Sequence, residues 1–168
     1  MNRAKLDQIK QELGWKPNHP SKESLPYIGV RLNGDNAYIS GNIAFSDGEV
    51  RYKGRIGKDL SIEDAKKSAA LSMINCLDSF DKAYGLENLD KVLKVTGYLC
   101  CTEDVIEQPQ IMNAASEVLT AVFGEDGLHA RAALGIHTLP LGASVEVELV
   151  VKVILPSVSP LAAECSEN

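Results

Sequence analysis

The stretch Val145-Glu146-Val147-Glu148-Leu149-Val150-Val151-Lys152-Val153-Ile154-Leu155 decides the fold. Val145, Val147, Leu149, Val151, Val153 and Leu155 recur at every second position. That period is the one at which side chains of an extended chain share a face, so the stretch reads as a strand with one continuous apolar side. The other side starts with Glu146 and Glu148 and carries Lys152, yet Val150 and Ile154 lie on it too. A packed layer must cover the first side, and the apolar spots of the second side need a cover of their own. Self-association is the simplest one, which places Val150 or Ile154 near an inter-subunit surface.

Upstream, Leu139-Pro140-Leu141-Gly142 is a turn, and Arg131–Ile136 before it is a short strand. Read together they suggest a hairpin that carries Arg131 and Glu146 towards one end. Before these, Met112, Ala115, Val118, Leu119 and Val122 mark the inward face of a helix over Pro109–Phe123, closed by Gly124. Lys91–Cys101 has the Val and Tyr enrichment of a strand. A longer helix starts at the N-cap Ser61, with Glu63 and Asp64 in its first turn, and runs along Ile62, Ala65, Ala69, Met73, Leu77 and Phe80 to Gly85. In the first half, Ile28, Val30 and Leu32 alternate, Asn33-Gly34 supplies a turn, and Tyr38–Phe45 returns. Ser46-Asp47-Gly48 turns once more into a short strand near Val50–Tyr52.

The order β-β-β-α-β-α-β-β predicts an α+β domain over residues 21–155, one mixed sheet with two helices packed on one face. Leu6, Ile9 and Leu13, stopped by Gly14, form a short helix, and Pro17 and Pro20 make residues 1–20 an N-terminal helix and arm. After Pro156 the residues turn to Ser, Pro, Ala and Glu, so 156–168 read as a flexible tail.

The chain has 168 residues, and its 17 basic residues are scattered among 23 acidic ones for a net charge of −6. A basic run that could neutralise phosphates is missing, so nucleic acid is not an expected partner. There is neither an apolar run of membrane length nor an apolar leader, which makes the expected location cytoplasmic. The four cysteines, at 76, 100, 101 and 165, have no metal-binding or redox spacing and read as reduced thiols, Cys100 and Cys101 pointing to opposite faces. No phosphate loop or nucleophile elbow is present, and no cofactor is implied.

Two charges inside apolar strands stand out. Arg131 sits among alanines, and Glu146 sits between Val145 and Val147. They are either an outward salt bridge on the sheet or a site in which Arg131 grips a carboxylate bidentately and Glu146 handles water. His19, His129 and His137 have no metal spacing or nucleophile partner and read as surface or interface residues.

The run Ala130-Arg131-Ala132-Ala133-Leu134-Gly135, through Leu139-Pro140-Leu141-Gly142 to Val145-Glu146-Val147-Glu148, resembles the C-terminal signature of the Rid family, also called YjgF and formerly labelled L-PSP endoribonuclease. Pro26-Tyr27, Tyr38-Ile39-Ser40-Gly41-Asn42-Ile43 and Asn113 resemble its other motifs, and the likeness spans about residues 21 to 155. The arm and Tyr52-Lys53-Gly54-Arg55-Ile56-Gly57 resemble a longer subgroup. The resemblance implies a chorismate-mutase-like fold in a trimeric, barrel-like assembly, with sites in clefts between subunits. It implies hydrolytic deamination of small 2-imino acids to 2-keto acids and ammonia. Arg131 would bind the carboxylate, Glu146 would position water, and the backbone at Ala133 would contact substrate. Tyr27, Ser40, Gly41, Asn42 and Asn113 would help form the pocket. Asn42 replaces the family's Gln, His129 its Pro and Ala133 its Cys. The alternative is a non-catalytic protein that binds a small carboxylate metabolite in the same cleft. A translation-inhibiting endoribonuclease fits the acidic composition less well.

Overall fold

The computed structural model describes residues 1–17 and 26–154. His19, Cys165 and the expected tail lie outside the described residues. Seven strands and three α-helices follow in the order α1 (Arg3–Glu12), β1 (Val30–Asn33), β2 (Asn36–Ile43), β3 (Phe45–Ser46), β4 (Glu49–Val50), α2 (Ile62–Tyr84), β5 (Leu89–Cys100), α3 (Gln108–Phe123), β6 (Ala130–Ile136) and β7 (Val145–Val153). The main sheet has the order β1-β2-β7-β5-β6. All its neighbours are antiparallel except β5 and β6, which run parallel and are joined through α3.

The expected α+β class with helices on one face is what the chain adopts. Along β7, Val145, Val147, Leu149, Val151 and Val153 are each at most 4% exposed against the helices. Burying each such side chain stabilises the fold by about 1.5–3 kcal/mol. α2 and α3 pack side by side over this face with Met73, Leu77, Phe80, Met112 and Leu119 fully buried. Ser61 caps α2 by accepting the Asp64 N–H at 3.1 Å. The first helix packs back onto the domain: Leu6 is 1% exposed in the shared core, and Arg3 makes a bidentate pair with Asp81 of α2. Trp15 then donates to Asn75 Oδ1, whose amide in turn donates to the carbonyls of Ile43, the last residue of β2, and Phe45, the first of β3.

Two expectations are corrected. The strand predicted near Val50–Tyr52 is the two-residue β4, which pairs only with β3 in a separate ribbon. Tyr52 itself has φ 54°, outside extended geometry. The hairpin expected between Arg131–Ile136 and the last strand does not form, because β5 lies between β6 and β7. β7 pairs with β5 over Leu89–Leu99, and this long antiparallel register outweighs the short connection at Pro140–Gly142.

The face turned away from the helices carries Tyr38, Tyr98, Leu134, Glu146, Glu148 and Val150. Tyr38 and Leu134 are 46% and 48% exposed, Val150 is half-buried, and Ile154 is 63% exposed. Among the described residues, no helix is long and apolar enough to cross a membrane.

Candidate functional site

Arg131 stands opposite Val95 in the β5–β6 register, on the helix side of the sheet. Its guanidinium is held by α3. Nη1 donates to Asn113 Oδ1 and Ser116 Oγ, both at 3.0 Å, and Nη2 donates to the Pro109 carbonyl at 3.0 Å. Asn113 and Ser116 are three residues apart, which puts both on one side of a helix. Of the five guanidinium donors, Nε–H and one Nη2–H remain for a ligand. Ser116 is oriented in turn by His129, whose Nε2 lies 3.0 Å from Ser116 Oγ and whose Nδ1 lies 2.7 Å from the Gly127 carbonyl. The carbonyl can only accept, so Nδ1 carries the proton and Nε2 accepts from the Ser116 hydroxyl. Burial first, and the nearby Arg131 charge as well, push the His129 pKa down and favour this neutral tautomer, while the bond to Gly127 works the other way.

Glu146 stands opposite Tyr98, on the face away from the helices. Burial, and then the charge of Glu148, raise its pKa from the ordinary glutamate value. The carboxylate rests against Gly41, where a β-carbon would collide with Oε1. A bulge at Ser40–Gly41 interrupts the β2–β7 register between Ile39↔Leu149 and Asn42↔Val147 and creates that approach. Ser40 Oγ donates to the Ile28 carbonyl at 2.9 Å, and the Ser40 N–H donates to the Gly29 carbonyl at 2.9 Å, which ties down the segment carrying the exposed Tyr27. Beside the bulge, burial first and then the neighbouring carboxylates of Glu148 and Glu146 raise the Tyr98 pKa.

The sequence-predicted residues therefore fall into two groups. Arg131, Asn113 and the half-buried Ala133 meet at the β6–α3 edge. Ser40, Gly41 and Glu146 lie together at the bulge on the other side of the sheet, and Tyr27 stands exposed on the neighbouring segment that Ser40 ties down. Asn42 joins neither, since it faces α2, accepts from Ser79 Oγ at 3.4 Å and donates to the Ser40 carbonyl at 2.8 Å. Arg131 and Glu146 are offset by three residues along β5 and by two strand spacings, so their α-carbons are about 14 Å apart. They also sit on opposite faces. A salt bridge between them within one chain is excluded, and a small ligand cannot touch both within one chain. Ser116 and His129 were not expected to serve Arg131; the Asn113–Ser116 helical spacing was the one available signal. Cys76, Cys100 and Cys101 are free thiols, and no group of three or more potential metal ligands occurs among the described residues.

Comparison with known proteins agrees with this architecture. The chain is 28% identical to Protein TCP17 of Trypanosoma cruzi over 144 residues, 84% of this chain and 90% of that one. The crystal structure of Atu1372 from Agrobacterium tumefaciens, a protein described as of unknown function, is 30% identical, with a TM-score of 0.80 over 91% of this chain and 98% of that one. RidA from the Antarctic bacterium Psychrobacter sp. PAMC 21119 shares the fold, with a TM-score of 0.54 at 24% identity over 82% of this chain and 94% of that one. The YjgF/chorismate mutase-like family model matches residues 24–153, which take in both groups of site residues and the whole main sheet, and the chain belongs to that family, the Rid family.

Proposed function

We propose that the chain is a hydrolytic deaminase of small 2-imino acids that works as a homotrimer. Its cleft lies between the β6–α3 edge of one copy and the β1–β2–β7 face of the next. The observation that carries this reading is the Arg131 guanidinium, held by three acceptors with two donors left over, a preformed fork for a carboxylate. As an edge strand, β6 also leaves backbone groups unpaired, and Ala133 would offer one to the substrate. Tyr27, Ser40 and Gly41 of the neighbouring copy would wall the pocket. Glu146, whose pKa burial and Glu148 raise and which is thereby a stronger base than an ordinary carboxylate, would take a proton from water as the oxygen adds to the C=N carbon. Glu146 gives that proton to the nitrogen as the C=N bond opens, and the carbinolamine then passes its hydroxyl proton to the nitrogen, expels ammonia and leaves the 2-keto acid. The imine is already electrophilic, so orientation and one activated water suffice.

The test splits binding from chemistry. Arg131→Ala removes a charge-assisted bidentate contact of about 2–4 kcal/mol, so a keto-acid analogue should bind roughly 30- to 1,000-fold more weakly by calorimetry. Glu146→Gln should keep that affinity and lower imine turnover by about 10²-fold. Unchanged binding in Arg131→Ala removes the carboxylate clamp. A silent Glu146→Gln leaves the second reading, a non-catalytic carboxylate-binding protein, which the separate holding of Arg131 by α3 favours because binding needs that group alone.

A further inference from the structure

Beyond Arg131, β6 leads to a cavity of about 720 Å³ lined by Arg55, Cys101, Glu103, Asp104, Gln108 and His137 among others. It opens at the carboxyl ends of β5 and β6, the parallel pair of the sheet. Carboxyl ends of parallel strands are where open α/β sheets take ligands, because the chain turns away there into a helix and leaves a crevice.

The walls are held in place. Between β4 and α2, the Ile56 N–H donates to the Cys100 carbonyl at 2.8 Å, and the Thr102 N–H donates to the Ile56 carbonyl at 3.0 Å. Asp59 accepts the Arg55 backbone N–H at 2.8 Å. From this fixed loop, Arg55 Nη2 donates to the His137 carbonyl at 2.8 Å and lies 3.0 Å from His137 Nδ1. Gln108 Nε2 donates to the Val105 carbonyl at 2.6 Å, which leaves its amide oxygen as an acceptor.

Charge is what distinguishes the cavity. Among the described residues, Arg55 forms no ion pair, and neither do Glu103 and Asp104. One cation and two carboxylates therefore border the same hollow without neutralising one another. A simple anion would meet the two carboxylates, and a simple cation would meet the guanidinium. A small zwitterion satisfies both signs at once. We propose that this cavity binds a free amino acid at a site separate from the Arg131 cleft. Arg55 holds the α-carboxylate through its remaining donors, and Glu103 and Asp104 hold the ammonium. The volume leaves room for a side chain beyond the zwitterionic head.

The experiment screens the full chain by thermal shift against the common amino acids at millimolar concentration. Calorimetry on the Arg131→Ala chain, which removes the keto-acid site of the proposed function, then compares the best one with its 2-keto acid and with the amine that lacks its carboxylate. The amino acid should bind about tenfold or more tighter than either analogue, since each lacks one charge-assisted contact. Arg55→Gln should weaken amino-acid binding by about tenfold or more, and the exposed double change Glu103→Gln with Asp104→Asn should do the same without affecting the melt. Arg131→Ala should leave the affinity as it is. Three results would overturn the proposal: no amino acid gives a shift or a heat, the keto acid or the amine binds as well as the amino acid, or binding survives in the double variant and is lost in Arg131→Ala.

Discussion

Replacing Gly41 by alanine tests whether the bulge in β2 exists to seat the Glu146 carboxylate. A β-carbon at Gly41 would collide with Glu146 Oε1, and it would stand 2.9 Å from Cδ. Ordinary contacts between carbons lie at about 3.5–4.0 Å, so the carboxyl carbon must retreat by about 0.6–1.1 Å. The obstacle is the far end of a flexible side chain, and the Gly41 φ is one that alanine adopts. The fold should therefore yield little: the loss from crowding is offset by about 0.4–1 kcal/mol from the stiffer unfolded chain. Chemistry is less forgiving, because a reacting group displaced by about 1 Å costs on the order of 10²-fold. Gly41→Ala should thus lower imine turnover by about 10²-fold, with keto-acid binding at Arg131 and the urea midpoint close to wild type. Steady-state hydrolysis of an imine made from a small amino acid, with calorimetry and urea unfolding on the same preparation, measures all three. Wild-type turnover in Gly41→Ala would refute the claim that Glu146 acts from its place against the bulge.

Acid should weaken the His129–Ser116–Arg131 chain. The His129 pKa is lowered in the fold, so between the ordinary histidine value and the lowered one the unfolded chain binds more protons. Stability is full above that window and falls as pH drops through it; urea midpoints should show the slope, and His129→Gln should flatten it. For Glu146 the sign is reversed: its raised pKa means that the unfolded chain loses the proton first as pH rises. Glu146→Gln should therefore be more stable than wild type at neutral pH, and thermal melts should show the advantage vanish in acid. Leu6→Ala, which empties a fully packed position under α1, should cost about 2–5 kcal/mol by chemical denaturation if the first helix is integral to the core.

Much of the architecture could be read locally. The alternation along Val145–Val153, the Ser61 cap and the apolar stripes of α2 and α3 each depend on neighbours within a few residues. Those elements lie where the sequence reading put them, within two residues at their ends. The strand neighbours were harder. A short turn between Arg131–Ile136 and the last strand suggests adjacency, yet Glu146 is paired with Tyr98, 48 positions earlier. Nothing in a four-residue turn reveals that β5 offers the longer register. The site followed the same division. Arg131 and Glu146 announced themselves as charges inside apolar strands. Their settings, Ser116 and His129 for one and the Gly41 bulge for the other, arise only when separate elements meet.

The placement of Arg131 and Glu146 on opposite faces of one sheet has a further consequence for a protein that acts on both at once. In the proposed trimer, a lone chain carries each half of the cleft and can close neither. Output then obeys mass action: below the concentration at which copies associate, specific activity falls with every dilution, although each chain stays folded and intact. The amount of protein in the cell becomes an input to the rate beyond simple proportionality. A deaminase built in this proposed way would be silent when scarce and would switch on over a narrow range of abundance.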